Sequence, residues 1–457
     1  MLGAGPAGAA LSRRLSQLGH SVVLLEKASF PRTHVGESLS GGILPLLDAL
    51  GLRERLENAG FYRPARAVVR WAGRPERDVQ NLGERGFQVD RGRFDRILTD
   101  AAVEAGTILL QPAKVAAMQR TGRGWRIDTK MQGQPISIDS AFLVDSTGRT
   151  NLLGGRRTLC SEPMLALWAY WRNIPASGSE TRVESGPTEW FWGAPLPDGS
   201  FNATVFVDPK MYRALSPSLY RSLLNRSTLL SDCTRYERLT EVSVCDATSY
   251  IANDLASADS IKIGEAAFTI DPLSSQGVQT AIGSALHAGA VLNTIVRRPS
   301  NADTALNFYR NRQLASAARH RAAAAGFYAD AADYYQTDFW IRRGAVERVP
   351  APATRTDPDL PAPDTVVRLS PALKTITVPC LRGDYIVEQR GFTHPAWRAP
   401  LVFIGDIAVA ELLESVSYPT VARNLVHAWT PLVPAESAFA FLRQLWGTGV
   451  LCSGGRG

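Results

Sequence analysis

Gly3, Gly5 and Gly8 stand in the run Gly-Ala-Gly-Pro-Ala-Gly and complete a G-x-G-x-x-G fingerprint. Residues of this type at this spacing bind a pyrophosphate. The first glycine makes a tight turn, the second lets backbone approach the phosphates, and the third lets a helix pack against a sheet. Glu26 follows roughly 20 residues on, where an acid accepts from an adenosine ribose hydroxyl. The expectation is a dinucleotide site built from Gly3, Gly5, Gly8 and Glu26. The alternative is an ordinary glycine turn before an amphipathic helix.

Three further stretches carry polar residues suited to an anionic ligand. Phe30–Leu39 (F-P-R-T-H-V-G-E-S-L) offers Arg32 and His34 in a glycine- and hydroxyl-bearing turn, and reads equally as an ordinary polar loop. Val89–Leu98 (V-D-R-G-R-F-D-R-I-L) holds Arg91 and Arg93, either of which taken singly could be a surface charge. Ile261–Ile282 ends a strand at Gly264-Glu265, runs through a proline-containing loop, and opens a small-residue helix at Gly277. The N–H groups and positive dipole end of that helix suit an anionic ring or phosphate. His34 is the titratable candidate for proton transfer, against a structural role in its loop. His287 reads as a packed core histidine inside an alanine-rich helix.

The elements that position these residues follow from pattern. Ala9–Leu18 reads as a helix and Ser21–Leu25 as a buried strand. Leu143–Arg149 reads as a hydrophobic strand ending in Asp145 and Gly148, and the helix from Gly277 runs to about Val296. Only Met1 and Leu2 precede the fingerprint, although a strand of about five residues is usual there. The expectation is that the natural start lies upstream and that this strand is central in its sheet. Residues 160–255 look strand-rich and 301–345 helical. Five prolines between Val349 and Thr365 mark a linker. In the final stretch, strands are expected at Thr375–Val378, Asp384–Glu388 and Leu401–Ile404, with helices near Ile407–Ser415 and Val421–Ala428.

At 457 residues and 45% hydrophobic, the chain can bury a full core. There is no 18-residue apolar run, so no membrane span is expected, and the fingerprint at the start leaves no signal peptide. Five scattered cysteines without a C-x-x-C pattern imply reduced thiols in the cytoplasm, and no metal site is expected. The net charge of +7 is dispersed, which argues against nucleic acid as a partner.

In this order the pieces resemble the FAD-dependent monooxygenases of the p-hydroxybenzoate hydroxylase type, and within them the flavin-dependent halogenase branch. F-P-R-x-H-V-G-E-S-L, V-D-R-x-x-F-D and G-D-A-A-x-x-x-D-P-x-x-S-x-G-V are signatures of that branch, and the likeness covers roughly residues 1–345. Glu265 stands where the family usually has Asp. The resemblance implies an α/β fold: a Rossmann-like, glutathione-reductase-type FAD domain, an inserted antiparallel substrate sheet, and a small C-terminal α+β domain. It divides the chain into a core over 1–348, a linker over 349–365 and a C-terminal cap or docking domain over 366–457. Within the core, the FAD-binding parts are about 1–60, 90–155 and 258–300, and the substrate side about 61–89 and 156–257. It assigns the rest of FAD to Arg32, Arg93, Glu265, Gln276, Gly277 and Val278, and places Asp271 and Pro272 beside the flavin ring as further catalytic candidates. Electrons would come from NAD(P)H or a separate flavin reductase, and O₂ would be the co-substrate.

Halogenase or hydroxylase is then decided by a few groups. Halogenases of this branch aim the halogen with a lysine in G-F-x-x-K-x-G-x-x-x-x-W. This chain reads Gly60-Phe61-Tyr62-Arg63-Pro64, with Trp71 in register, so proline replaces the lysine. Arg63 or Arg66 could substitute only by a shift, and guanidinium is a poor halogen acceptor. The glutamate of P-L-E-S-T-G is Ser274 here. W-x-W-x-I-P survives imperfectly as Trp190-Phe191-Trp192-Gly193-Ala194-Pro195, for packing or for catalysis. The resemblance thus implies hydroxylation of an electron-rich aromatic ring. Its nearest likeness is to the flavoprotein monooxygenases of tryptophylquinone cofactor maturation, which would mean a polypeptide substrate carrying the tryptophan. A halogenase or hydroxylase acting on a small or carrier-bound indole, phenol or pyrrole, and a non-catalytic flavoprotein that binds a partner, are the alternatives.

Overall fold

The computed structural model describes residues 1–32, 34–64, 66–80, 85–174, 180–211, 216–345, 360–397, 399–405, 407–416 and 418–454. The stretch 346–359, which carries much of the expected linker, lies outside the described residues. The chain divides into two compact units, Met1–Ala302 with Tyr309–Arg348, and Asp303–Phe308 with Val349–Gly457.

The first unit is built on a parallel sheet. Val23–Leu25 pairs with Ile108–Leu110, and Leu143–Asp145 pairs with Ser260–Lys262, both in parallel. Leu2 bridges the two pairs, facing Leu25 on one side and Asp145 on the other. Its amide donates to the Val144 carbonyl at 2.9 Å, and the Gly3 amide donates to the Leu25 carbonyl at 2.8 Å. The segment before the fingerprint is therefore central, as its hydrophobic neighbours required. Pro6–Gln17 follows at once as a helix and packs on the long helix Gly277–Arg297. At this contact Gly289 of the long helix approaches Leu11 and Arg14 of the first.

The inserted sheet has seven strands, in the spatial order Ser243–Asp246, Leu165–Arg172, Ser200–Val207, Glu189–Pro195, Thr181–Ser185, Arg66–Arg70 and Arg77–Gln80. All its pairs are antiparallel except Thr181–Ser185 with Arg66–Arg70, which run parallel. Every residue of Ser200–Val207 is buried, so this strand is covered on both faces. A second antiparallel sheet of three strands, Lys114–Thr121, Gly124–Met131 and Gln134–Ser140, packs Trp125 and Ile127 toward Leu2 and Leu143.

The second unit contains the hairpin Lys374–Arg382 and Tyr385–Thr393, and a three-stranded sheet in which Val366–Leu369 lies between Thr420–Val421 and Leu451–Ser453. Helices Val409–Leu413, Ala422–Trp429 and Ala435–Gly447 enclose a core around Trp429, Phe441 and Leu445. Mixed α/β architecture, with a nucleotide-type parallel sheet, antiparallel sheets and a small α+β terminal unit, is the observed fold class. No helix among the described residues is long and apolar enough to cross a membrane.

Candidate functional site

The fingerprint glycines meet the structural demands of their positions. Gly3 has φ +91, and a Cβ there would lie 2.7 Å from the Ser146 carbonyl oxygen. A Cβ on Gly8 would fall 2.0 Å from the Gly3 carbonyl oxygen, so only glycine lets the helix sit this close to the sheet. Gly5 caps the helix Pro6–Gln17 without a side-chain cap, and no acid occupies the first turn. The helix start is thus left open to an anion.

Glu26 ends the neighbouring strand and is 2% exposed. Its carboxylate accepts from the Ala4 amide at 2.8 Å and the Ala28 amide at 2.9 Å, which fixes its orientation and leaves acceptor capacity for a hydroxyl. Arg32 reaches toward Glu26 at 3.6 Å and Asp95 at 3.7 Å, and its Nε is buried with no partner among the described residues. A Cβ on Gly5 would lie 3.4 Å from the Arg32 guanidinium. Gly5, Glu26 and Arg32 therefore converge on one spot. An open helix start, a close-packed glycine, a carboxylate with spare lone pairs and an unused guanidinium N–H fit the pyrophosphate and ribose of FAD.

The helix Gly277–Arg297 opens on the same unit. Gln276 precedes it with no side-chain cap, the first turn has no acid, and Gly277 is exposed. A small cavity of about 30 Å³ lies there, lined by Glu265, Thr269, Gly277 and Thr280 among others. Val278 is half-buried, and Gln279 accepts from the Ser40 hydroxyl at 2.6 Å, which ties this helix to the loop after Leu39. Glu265 is half-buried, with its backbone carbonyl accepting from the Tyr250 hydroxyl at 2.7 Å. Burial pushes that tyrosine up to about 12.

Arg93 and His34 lie further out. Arg93 is exposed, with its guanidinium 5.5 Å from the Phe61 ring centre. Arg91 is the buried arginine of that run, held by Asp95 at 3.0 Å and donating to the Val35 carbonyl at 2.7 Å. His34 is exposed and donates from Nδ1 to the Val35 carbonyl at 2.7 Å. The surrounding protein, and then the Arg91 charge, hold its pKa below the usual histidine value.

Pattern reading passed over Glu37, which is 2% exposed and joins the loop to the seven-stranded sheet. It accepts from the Tyr170 hydroxyl at 2.6 Å and from the Asn202 side-chain amide at 3.1 Å. Burial, and then the Glu37 carboxylate, hold the Tyr170 phenol far above its usual range. Nothing in the local sequence of Glu37 marks it, because its partners come from strands more than a hundred residues away.

Asp271 is buried and accepts from the Tyr328 hydroxyl at 2.8 Å and the Leu273 amide at 3.0 Å. Burial raises its pKa, and these two hydrogen bonds oppose the rise. Pro272 opens a short turn, and Ser275 beyond it takes a left-handed conformation with φ +50 before the helix begins. Ser274 donates to the Asp271 carbonyl at 3.2 Å.

Around the missing lysine, Pro64 is buried. Arg63 pairs with Glu57 at 2.9 Å and Arg66 with Glu180 at 2.7 Å, so both guanidinium groups are engaged. Trp190 is 1% exposed and stacks on Phe206 at 3.7 Å, with Trp71 at its edge. Trp192 is half-buried in the same cluster.

Comparison with known proteins agrees with this geometry. An FAD binding domain model matches residues 1–152, and a tryptophan halogenase model matches residues 84–357. The chain is 30% identical over 363 residues to a tryptophan 2-halogenase of Chondromyces crocatus, covering 74% of this chain and 69% of that protein. Its fold matches the flavin-dependent halogenase CmlS with a TM-score of 0.80 at 19% identity, over 99% of this chain and 95% of the other. It also matches QhpG, a peptidyl tryptophan dihydroxylase essential for tryptophylquinone cofactor biogenesis, with a TM-score of 0.74 at 26% identity over 98% of both chains. A nucleotide sheet with an open helix start, a second open helix start beside Glu265, and sequence kinship over most of the chain lead to one conclusion: the protein belongs to the tryptophan halogenase family and is an FAD-dependent oxidoreductase.

Proposed function

We propose that this enzyme hydroxylates an electron-rich aromatic ring, with a tryptophan carried on a polypeptide as its substrate class. The observation that carries the proposal is the state of its lysines. The first unit holds Lys27, Lys114, Lys130, Lys210 and Lys262. The first four are exposed. Lys262 is buried, but its ammonium is held by Asp254 and the Gly154 carbonyl, each at 2.7 Å. None of the five offers an unpaired interior amine to hold a halogen beside a substrate. Pro64 at the expected lysine position, Ser274 at the expected glutamate, and the paired states of Arg63 and Arg66 point the same way.

FAD, when bound and reduced, supplies the activation of O₂. The chain's own residues have narrower tasks. Gly3, Gly5, Gly8, Glu26 and Arg32 would hold the adenosine and pyrophosphate, with Glu265 and Arg93 toward the remainder. The helix start at Gln276–Val278 would face the flavin ring with its amides and favour negative charge there. The Glu37–Tyr170–Asn202 bonds would keep the loop and the substrate sheet in one geometry and exclude water between them. Asp271 and His34 remain the candidates for handling a proton, and Pro272 would pack beside the flavin ring. Electrons would come from a separate flavin reductase or from NAD(P)H.

Similarity over nearly the whole chain to a peptidyl tryptophan dihydroxylase supports the polypeptide substrate. Kinship to a tryptophan 2-halogenase favours the second reading, halogenation. The two separate in one experiment: the FAD-loaded enzyme, a reducing system, O₂ and chloride are given free tryptophan or tryptophan-containing polypeptides encoded beside it. Mass spectrometry is expected to find one or two added oxygen atoms on the polypeptide. Efficient replacement of hydrogen by chlorine with the wild-type enzyme would overturn the proposal. Pro64→Lys is the informative variant, expected to leave wild-type-like FAD content and to gain, at most, weak halogenation.

A further inference from the structure

A cavity in the first unit is lined by none of the residues assigned to FAD, and Asp271 is the one proton-handling candidate on its wall. It measures about 350 Å³, within the range of small-molecule sites and far above the water-sized voids of a packed interior. One wall is a stripe of the helix Ala302–Tyr335: Ala317, Arg321, Ala324, Ala325 and Tyr328 at helical spacing. A helix face turned toward protein is normally filled by large side chains. Here three alanines leave the space open, and Leu159 and Ile270 line it from the other side.

Seven titratable groups face this cavity, and most are already neutralised. Arg342 pairs with Glu162 at 3.3 Å and with Asp208 at 2.6 Å. Arg343 lies 3.6 Å from Asp208 and donates to the carbonyls of Phe339 and Pro163. Asp271 is bonded to Tyr328, and burial favours its neutral form. Cys160 is held toward its thiol form by burial. Arg321 is different: it is exposed at the cavity edge and has no carboxylate partner among the described residues. Ser249 Oγ and Arg343 Nε, both on residues that line the cavity, are buried polar atoms without partners among the described residues. Leaving such groups buried and unpaired is unfavourable, so a ligand that reaches them is favoured.

We propose that this cavity is a binding site for an aromatic monocarboxylate, with the apolar body among Ala317, Ala324, Ala325 and Leu159 and the carboxylate on Arg321. A single available guanidinium matches one carboxylate in a two-pronged bond. A cation would meet three arginines, and a neutral apolar guest would leave Arg321 unused. The site is independent of which oxidation the enzyme performs.

Calorimetric titration of the FAD-loaded full chain with indole-3-acetate, phenylacetate and benzoate tests this, with the matching amides as neutral controls. At least one acid is expected to bind saturably and about tenfold more tightly than its amide. Arg321→Gln should weaken the acid about tenfold and leave the amide unchanged. Ala324→Phe, which fills the space, should abolish both. Bound acid should slow alkylation of Cys160, read by peptide mapping, without displacing FAD, and inorganic phosphate should not compete. Arg321→Gln alters an exposed residue, so its FAD content and melting curve should match wild type and make its result readable even if Ala324→Phe folds poorly. Absence of binding by all three acids, or equal binding of acid and amide that Arg321→Gln does not change, would overturn the site.

Discussion

Gly8 and Glu26 show how single atoms set the cofactor site. A methyl group on Gly8 would sit 2.0 Å from the Gly3 carbonyl oxygen, so Gly8→Ala must push the helix Pro6–Gln17 off the sheet. The expected outcome is a loss of about 1–3 kcal/mol in stability and of FAD on purification, read by denaturant unfolding and flavin absorbance. Glu26→Gln keeps the shape but replaces an acceptor-only carboxylate by an amide, and should weaken FAD retention about tenfold. Unchanged flavin content in both variants would refute the assignment. At this scale the local spacing singled out Gly3, Gly5, Gly8 and Glu26 as candidates, because a turn–helix–strand unit positions them, whereas Arg32 was assigned only through the family resemblance. Arg91 and Glu37 were not legible as site residues. Both are charged residues in polar runs, and only burial against Asp95 and against Tyr170 and Asn202 distinguishes them.

At the scale of elements, the helix Gly277–Arg297 links the cofactor end to the core, and it carries His287. Burial lowers the pKa of this histidine to about 4, and Arg312 and Arg319 add to the shift. The unfolded chain titrates near 6.5, so between the two values it binds more protons than the folded one. This contribution to stability is present above about pH 6.5 and is lost as pH falls toward 4. Denaturant melts across that window should show stability declining, and His287→Gln should flatten the decline. An identical slope in the variant would remove His287 as the cause. Helices and hydrophobic strands were read well from periodicity: Ala9–Leu18 became Pro6–Gln17, and Gly277 to about Val296 became Gly277–Arg297. Pairing was read less well. The parallel contact between Thr181–Ser185 and Arg66–Arg70 joins segments about a hundred residues apart, and nothing local encodes it.

The whole molecule consists of two units, each with its own core. In the second, Trp429 is fully buried against Phe441 and donates to the Leu412 carbonyl at 2.8 Å. Trp429→Ala should destabilise that unit by about 3–5 kcal/mol, seen as an early transition in calorimetry. Flavin release should still report the first unit at its wild-type temperature, and a common shift of both signals would show that the units unfold together. In the terminal stretch, strand expectations at Thr375–Val378 and Asp384–Glu388 fall inside the longer hairpin Lys374–Thr393, whereas the helix Ala435–Gly447 went unread. By itself the sequence determined the nucleotide-binding unit, its cofactor class and the missing halogen-handling lysine. Those properties reside in residue type and short spacing, where covalent geometry limits the outcome. Only the tertiary structure decided that Lys262 is tied to Asp254, that Arg63 and Arg66 are paired, and that a stripe of alanines beside Arg321 encloses open space. Those properties depend on which distant surfaces meet, and burial, pairing and void volume exist only once they do.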